Sequence, residues 1–557
     1  MSLIQGIKWA ILLFILLSGI FFEAPLNVQS FKLNILHTND MHSRFLETCI
    51  NKNTSNEKCY GGFPRLVTLI NQAKKSDNST IFLNAGDTYQ GTYWFTKYKW
   101  EVVARGLNML KPDAMCLGNH EFDNGINGLI PFLENASYPV LAANLDLTEE
   151  PELAVTGIKN STILTVNDYK IGIIGYLTNQ TKLTSSSRNV KFLDEVTVIQ
   201  EEANKLKADG IDILIALGHS GYKLDKIIAE QVDGIDLVIG GHSHTFLYSG
   251  NQSNYDTPEG PYPTKIKQKN GKIVYVVQAS AYTKYMGHVV VNYDEKEKKV
   301  INITGSPILV DDSIENDKDA VAEFEEFRLP IKDVEEKIVG SSLVLLDGKL
   351  KNCQLKECNF GNLITDAMID YANRQDNLTG KWKYPLVAFV GAGYIRDSID
   401  QLPSHKITMG EVLTVFPFVD TVLLVEIPGK LLLDALEWSA YNAFKSNYAF
   451  LQLSGIKVTY NLGNPFGSRV ISAQVRSFKG RIPHFEDIDK DKNYTTITTD
   501  YIHTGGDGYT MFKNLEWYSL NITGAEVLAQ YLQIHSPVYP GIESRINFVS
   551  TQNSTNN

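Results

Sequence analysis

At 557 residues, 43% of them hydrophobic, the chain can build two or three packed domains. Its formal net charge of -11 and isoelectric point near 5.6 argue against nucleic acid and anionic membranes as main partners. An anionic ligand would have to be drawn in by local arginines or metal ions.

Residues 9–22, WAILLFILLSGIFF, are apolar and follow a single charge, Lys8. The run is short for a membrane span, so residues 1–30 read as a signal peptide cleaved between Ala24 and Ser30; an N-terminal anchor helix is the alternative. Export agrees with eleven N-x-[ST] sequons, at Asn53, Asn78, Asn135, Asn160, Asn179, Asn251, Asn302, Asn377, Asn493, Asn521 and Asn553. It also agrees with the cysteines. Cys49 and Cys59 bracket a polar loop, and Cys353 and Cys358 lie five apart, so each pair suits a small disulfide-closed loop. Cys116, in AMCLG, reads as a buried free thiol.

From residue 31 to 312 the pattern is apolar strand, polar tip, helix. FKLNILHTND, TIFLNAGD, AMCLGNHE, KIGIIGYLTN, IDILIALGHS and IDLVIGGHSH are the strand-and-tip units, with helices expected over 64–75 and 196–208. Continuous apolar strands alternating with helices predict an α/β fold whose sheet is buried on both faces. In such folds the ligand sits beyond the carboxyl ends of the strands. Residues 313–338 are charged and helix-forming around Pro330, as a linker helix would be. Residues 339–549 mix helices (361–373, 429–444) with strands (385–390, 421–427, 454–461, 494–499), an α+β pattern. Residues 550–557 read as a polar tail, and the ending GIESRINFVSTQNSTNN lacks the small residues, polar spacer and apolar tail that direct a lipid anchor, which predicts a diffusible protein.

The chemistry-bearing residues collect at the strand tips. Of eleven histidines, six precede residue 245: His37, His42, His120, His219, His242 and His244. A lone His after a strand is more often a packing or capping residue. D-x-H, GD, GNH, GH and GHxH in succession are not explained that way. Two divalent cations a few Å apart need a shared anion, and Asp87 suits that place. Asp40, His42 and His244 would serve one ion, and Asn119, His219 and His242 the other. Two such ions can clamp a phosphoryl group and activate water. Without cysteine ligands, a closed structural zinc site is disfavoured. His120 would stay off the metals and face the phosphoryl group as acid or charge stabiliser, with Asp123 orienting its other ring nitrogen. Glu121 and Phe122 read as structural.

The motifs LHTNDMHSR (36–44), NAGDTYQGT (84–92), LGNHEFD (117–123), LGHSG (217–221), GGHSHTF (240–246), CNFGNLITDAM (358–368) and GGDGY (505–509) resemble the 5'-nucleotidase/apyrase family of calcineurin-like metallophosphoesterases. The resemblance implies a four-layered α/β/β/α metallophosphoesterase domain, a linking helix and a C-terminal substrate-binding domain. It also implies hydrolysis of extracellular nucleotides, with domain rotation carrying substrate to the metals. Phe418 and Tyr501 would flank the base, Asp507 would take the ribose, and Arg396, ending GAGYIR, suits phosphate.

Two departures stand out. Gly391 replaces an Asn common in ecto-5'-nucleotidases, and Gln354 stands where they carry Arg after the first Cys of the C-x4-C loop; Lys356 could compensate. They favour a secreted apyrase cleaving ATP and ADP to AMP, as in the saliva of blood-feeding arthropods, where ADP removal blocks platelet aggregation. A secreted 5'-nucleotidase acting on AMP is the alternative, and an inactive nucleotide-binding protein a third reading. The expected cofactors are two divalent ions, zinc first, with manganese, calcium or magnesium as options. The chain would be a monomer or homodimer.

Overall fold

The computed structural model describes residues 30–50, 58–250, 256–375, 378, 387–400, 404–443, 448–479 and 482–549. Residues 1–29 of the expected signal peptide and the polar tail lie outside them, as do the sequons at Asn53, Asn251, Asn377 and Asn553. The seven sequon asparagines within them are all solvent-exposed. No helix among the described residues is long and apolar enough to cross a membrane.

The first half is built on two sheets. One runs in the order Lys299–Gly305, Tyr285–Asp294, Ser30–Thr38, Thr80–Asn84, Ala114–Cys116, Val140–Leu141, with Ile308–Leu309 also pairing Tyr285–Asp294. Its last four strands are mutually parallel. The other runs Thr264–Lys267, Ile273–Val277, Leu237–Ile239, Ile213–His219, Tyr169–Leu177, Ser161–Val166, with a parallel centre and antiparallel edges.

Period-two alternation explains the layering. Ile171, Ile173, Ile213, Ile215 and Leu217 share one core with Leu33, Ile35, Ile81 and Leu83 of the opposite sheet. Their alternates Ile174, Leu214 and Ala216 turn outward onto Ile199, Ala203 and Ile228 of the helices Glu195–Ala208 and Tyr222–Gln231. The first sheet is covered in the same way: Leu36 and Phe82 pack on Leu66, Val103 and Ile126 from the helices Phe63–Ser76, Trp100–Leu110 and Gly125–Asn135. The result is helix, sheet, sheet, helix.

The segment between the halves is not one continuous helix. Asp317 caps the helix Lys318–Arg328 by accepting from the N–H groups of Asp319 and Ala320. The helix ends before Pro330, whose ring cannot continue it, and a short turn, Lys332–Glu335, leads into the strand Ile338–Ser341. Phe324 is fully buried against Phe45, Phe63 and Trp94, so this helix belongs to the packing of the first domain.

The second half centres on a five-stranded sheet in the order Leu451–Ser454, Val387–Gly391, Asn493–Thr499, Thr421–Pro428, Trp517–Thr523. Residues of Asn359–Asn373, Gly429–Asn442 and Gly524–His535 share its single core. A four-stranded sheet, His484–Asp487, Val470–Ser477, Ile456–Tyr460, Ile546–Phe548, lies beside it. Both expected disulfides, Cys49–Cys59 and Cys353–Cys358, are formed, and Cys116 is free and buried.

Candidate active site

The expected ligand residues all follow the carboxyl ends of parallel strands. Asp40 and His42 follow Ser30–Thr38, Asp87 follows Thr80–Asn84, and Asn119 follows Ala114–Cys116. His219 ends its strand, and His242 and His244 follow Leu237–Ile239. The site therefore lies where the tips of the two sheets meet. Five of the seven residues hold left-handed backbone: Asp40 (φ 49°), His42 (48°), Asp87 (52°), His242 (74°) and His244 (53°). Such conformations cost non-glycine residues about 1–3 kcal/mol each and persist where the surroundings enforce them, most often at functional sites. Close approach also explains a glycine of the GNH turn: a Cβ on Gly118 would clash with Asp87 Oδ1.

The side chains converge in two groups, linked by a third made of His42, Asp87 and His120. In each of the sets Asp40, His42, His244 and Asp87, His219, His242, one ligand atom per residue lies within 4.8 Å of the others. Asp87 stands between them, its Oδ2 2.8 Å from His219 Nε2 and 3.9 Å from His42 Nε2. Hydrogen bonding fixes the imidazoles. His219 Nδ1 donates to the Ala85 carbonyl (2.7 Å) and His42 Nδ1 to that of Gln90 (2.8 Å). That leaves each Nε2 with a lone pair turned toward the carboxylates, and His42 Nε2 also sits 3.0 Å from His244 Nε2. His242 Nδ1 and Asn119 Oδ1 are buried without a hydrogen-bond partner among the described residues. Acceptor lone pairs facing carboxylates in a buried cluster are what cations satisfy, so the donor set fits divalent ions. Taken with no ion present, burial pulls His219 down, but Asp87 and Asp40 outweigh it and lift it to about 10; a cation between them would take the proton's place. Cys49 and Cys59 also lie near Glu47, but they are consumed by their disulfide.

His120 stands beside this cluster. Its Nδ1 is 2.6 Å from Asp123 Oδ2, and its backbone N–H donates to Asp87 Oδ1 at 2.9 Å. Burial disfavours its charge, but Asp123 and Asp87 together raise its pKa above the ordinary value. Glu121 is structural, as expected. Fully buried, it accepts from the N–H groups of Asp87, Thr88, Tyr89 and Gly118 at 2.6–3.1 Å, and so ties the GD turn to the GNH turn.

The C-terminal domain closes over the cluster. Arg396 Nη2 lies 3.2 Å from His42 Nε2 and 3.5 Å from His120 Nε2. Arg44 pairs with Asp397 at 2.7 Å, Tyr282 Oη donates to the Arg396 carbonyl and Tyr448 Oη to that of His242, both at 2.9 Å. Between the domains lies a cleft of about 290 Å³ lined from one side by Asn119, His120 and Asp123, and from the other by Arg396, Phe418, Tyr501 and Asp507. Phe418 is backed by Tyr394, stacked at 5.7 Å between centroids, and Tyr501 by Gly506, so each aromatic has one face supported by protein. Asp507 Oδ1 accepts from Tyr501 Oη at 3.0 Å, and burial lifts its pKa to about 6. Gly391 lines the cleft; Gln354 and Lys356 do not. Tyr282, Tyr448 and Asp420 are site residues that the sequence reading passed over. Single tyrosines carry no spacing signal, and Asp420 was visible only as the polar end of VFPFVD.

Residues 33–246 match the calcineurin-like phosphoesterase family, and residues 338–514 match the 5'-nucleotidase C-terminal domain. The chain is 40% identical over 527 residues to 5'-nucleotidase of Diplobatis ommata, covering 93% of this chain and 90% of that one. It is 38% identical over 529 residues to 5'-nucleotidase of Homo sapiens (93% and 91% covered) and 38% identical over 544 residues to the snake venom 5'-nucleotidase of Gloydius brevicauda (96% and 92%). Among solved structures, the 5'-nucleotidase precursor from Thermus thermophilus superposes with a TM-score of 0.86 at 31% identity, over 93% of this chain and 99% of that one. A calcineurin-like phosphoesterase domain implies divalent metal ions, which the His/Asp groups could hold. The chain belongs to the 5'-nucleotidase family and is a nucleotide phosphohydrolase.

Proposed function

We propose that the chain hydrolyses nucleoside 5'-monophosphates, releasing nucleoside and phosphate. The observation that carries this is the closeness of the two halves of the site: the Phe418 ring lies 6.3 Å from the His120 ring, centroid to centroid. A nucleoside stacked on Phe418 and Tyr501 brings its first phosphate to His120 and Arg396 with little space for a longer phosphate chain. That the relatives are named 5'-nucleotidases supports the same reading.

In this scheme Asp40, His42 and His244 would hold one ion and Asn119, His219 and His242 the other, with Asp87 available to both. When bound, the ions supply a phosphoryl clamp and an activated water; the mixed His, Asp and Asn donor set suits zinc or manganese better than the all-oxygen ligands that calcium and magnesium prefer. Asp123 accepts the Nδ1 proton of His120 and so points Nε2 at the phosphoryl group. There His120 stabilises the growing charge or protonates the leaving 5'-oxygen. Arg396 grips phosphate oxygens from the opposite side. Phe418 and Tyr501 hold the base between two π-faces, and Asp507 accepts from the ribose hydroxyls.

The apyrase reading, ATP and ADP cleaved to AMP with an anti-haemostatic consequence, draws on Gly391, which removes a side chain from the cleft wall, and on Lys182 and Lys513, two cations in the lining suited to additional phosphates. An inactive binding protein would not need the ligand set and the His120–Asp123 pair together. Seven exposed sequons, two disulfides and likeness to a venom protein support a secreted glycoprotein. Phosphate release from AMP, ADP and ATP, measured in parallel, separates the three readings.

A further inference from the structure

Four carboxyl groups lie near one another in and beside the cleft: Asp123 of the N-terminal domain, and Asp420, Asp500 and Asp507 of the C-terminal domain. Three are engaged. Asp123 holds His120, Asp500 accepts from the N–H groups of Thr421 (3.1 Å) and Tyr501 (2.8 Å), and Asp507 accepts from Tyr501 Oη. Asp420 has no hydrogen-bond partner among the described residues, although it lines the cleft. It stands two residues after Phe418, at the entry to the strand Thr421–Pro428, and is thus fixed to the same short segment as one wall of the aromatic pair. The nearest charges are unfavourable to a carboxylate. Burial first, then Asp500, Asp123 and Asp507, push its pKa up to about 8. At neutral pH the group keeps its proton and offers one O–H donor and one C=O acceptor. The lysines and arginine of the lining, Lys182, Lys513 and Arg396, offer donors only and suit phosphate rather than a base edge.

We infer that Asp420 reads the edge of the nucleobase, its O–H donating to a ring nitrogen and its C=O accepting from the adjacent exocyclic amine of a 6-aminopurine. This rests on the nucleotide reading above and sharpens it. Stacking on Phe418 and Tyr501 is indifferent to the identity of the base. Asp420 supplies the only unengaged carboxyl among the four, so discrimination falls to it. It is a specificity residue: it touches the base and none of the reacting atoms.

The test deletes the contact from both sides, using AMP and purine riboside 5'-monophosphate, which lacks the 6-amino group. The wild type should favour AMP in kcat/KM by about tenfold. Asp420→Ala should lower kcat/KM for AMP by about tenfold and leave the 6-unsubstituted substrate within about threefold. Asp420→Asn, which keeps a donor and an acceptor, should stay within about threefold of the wild type on AMP. Equal losses of Asp420→Ala on both substrates, or no loss on AMP, would overturn the inference. Should Asp420→Ala fail to fold, the wild-type ratio decides, and equal kcat/KM for the two substrates overturns it. Absence of any AMP hydrolysis by the wild type would instead sink the monophosphate reading, and the same pair of bases, compared as diphosphates, would then decide the role of Asp420.

Discussion

Arg396 of the C-terminal domain lies 3.2 Å from His42 of the N-terminal domain, nitrogen to nitrogen, and that contact joins the two halves of the active site. One side brings carboxylates and imidazoles; the other brings a guanidinium, two supported aromatic rings and a carboxyl group for the sugar. Neither half makes a nucleotide site alone.

The carboxylate between the two ligand sets is the first point at which to break it. Asp87→Asn removes the shared charge while keeping the shape, and should abolish hydrolysis at any substrate concentration. Metal analysis should find about two divalent ions per chain in the wild type, and chelation should remove activity that readdition restores. Wild-type turnover in Asp87→Asn, or an active metal-free protein, contradicts the two-ion reading.

His120→Ala should lower kcat by roughly 10²–10⁴-fold with little change in KM, and Asp123→Ala should give a smaller loss in the same parameter, because it acts through the orientation of His120. A rise in KM alone would place His120 in binding.

Gly118→Ala tests the packing that sets the site. The added methyl has nowhere to go except against Asp87 Oδ1. A displacement of about 1 Å in a catalytic group can cost roughly 10²-fold, so kcat should fall by about that much. Thermal melting should change little relative to the loss of activity; unchanged kcat would show that the turn can yield.

Phe418→Ala and Tyr501→Ala should each weaken adenine nucleotides by about 1–3 kcal/mol, whatever the phosphate number, because stacking involves the base alone. Competition binding with AMP, ADP and a non-hydrolysable ATP analogue checks this. A loss confined to one phosphate length would mean that the ring shapes the phosphate path.

The clustering of the expected metal-ligating residues was legible in the sequence because they occur in short motifs at the ends of strands, where Gly, Asn and Asp already mark tight turns. Apolar strands alternating with helices marked an α/β fold, the four layers were expected from the family resemblance, and the strand order left no signal in the sequence. The cleft was less legible. Tyr282, Tyr448 and Asp420 come from distant segments and are placed by domain packing alone, which leaves no periodic trace. Gln354, which stands where ecto-5'-nucleotidases carry Arg, lies outside the cleft lining, so its identity bears less on substrate length than that position implied. The linker read as one helix because its composition is mostly helix-forming, whereas Pro330 interrupts it and Phe324 packs the part before the break onto the first domain.

The most direct measurement of the central claim is phosphate release from AMP, ADP and ATP by the purified protein under one set of conditions. The short span from Phe418 to His120 predicts kcat/KM for AMP higher than for ADP and ATP by roughly tenfold or more, about 1.4 kcal/mol of transition-state binding. A preference for ADP or ATP over AMP would contradict it and establish the apyrase reading instead.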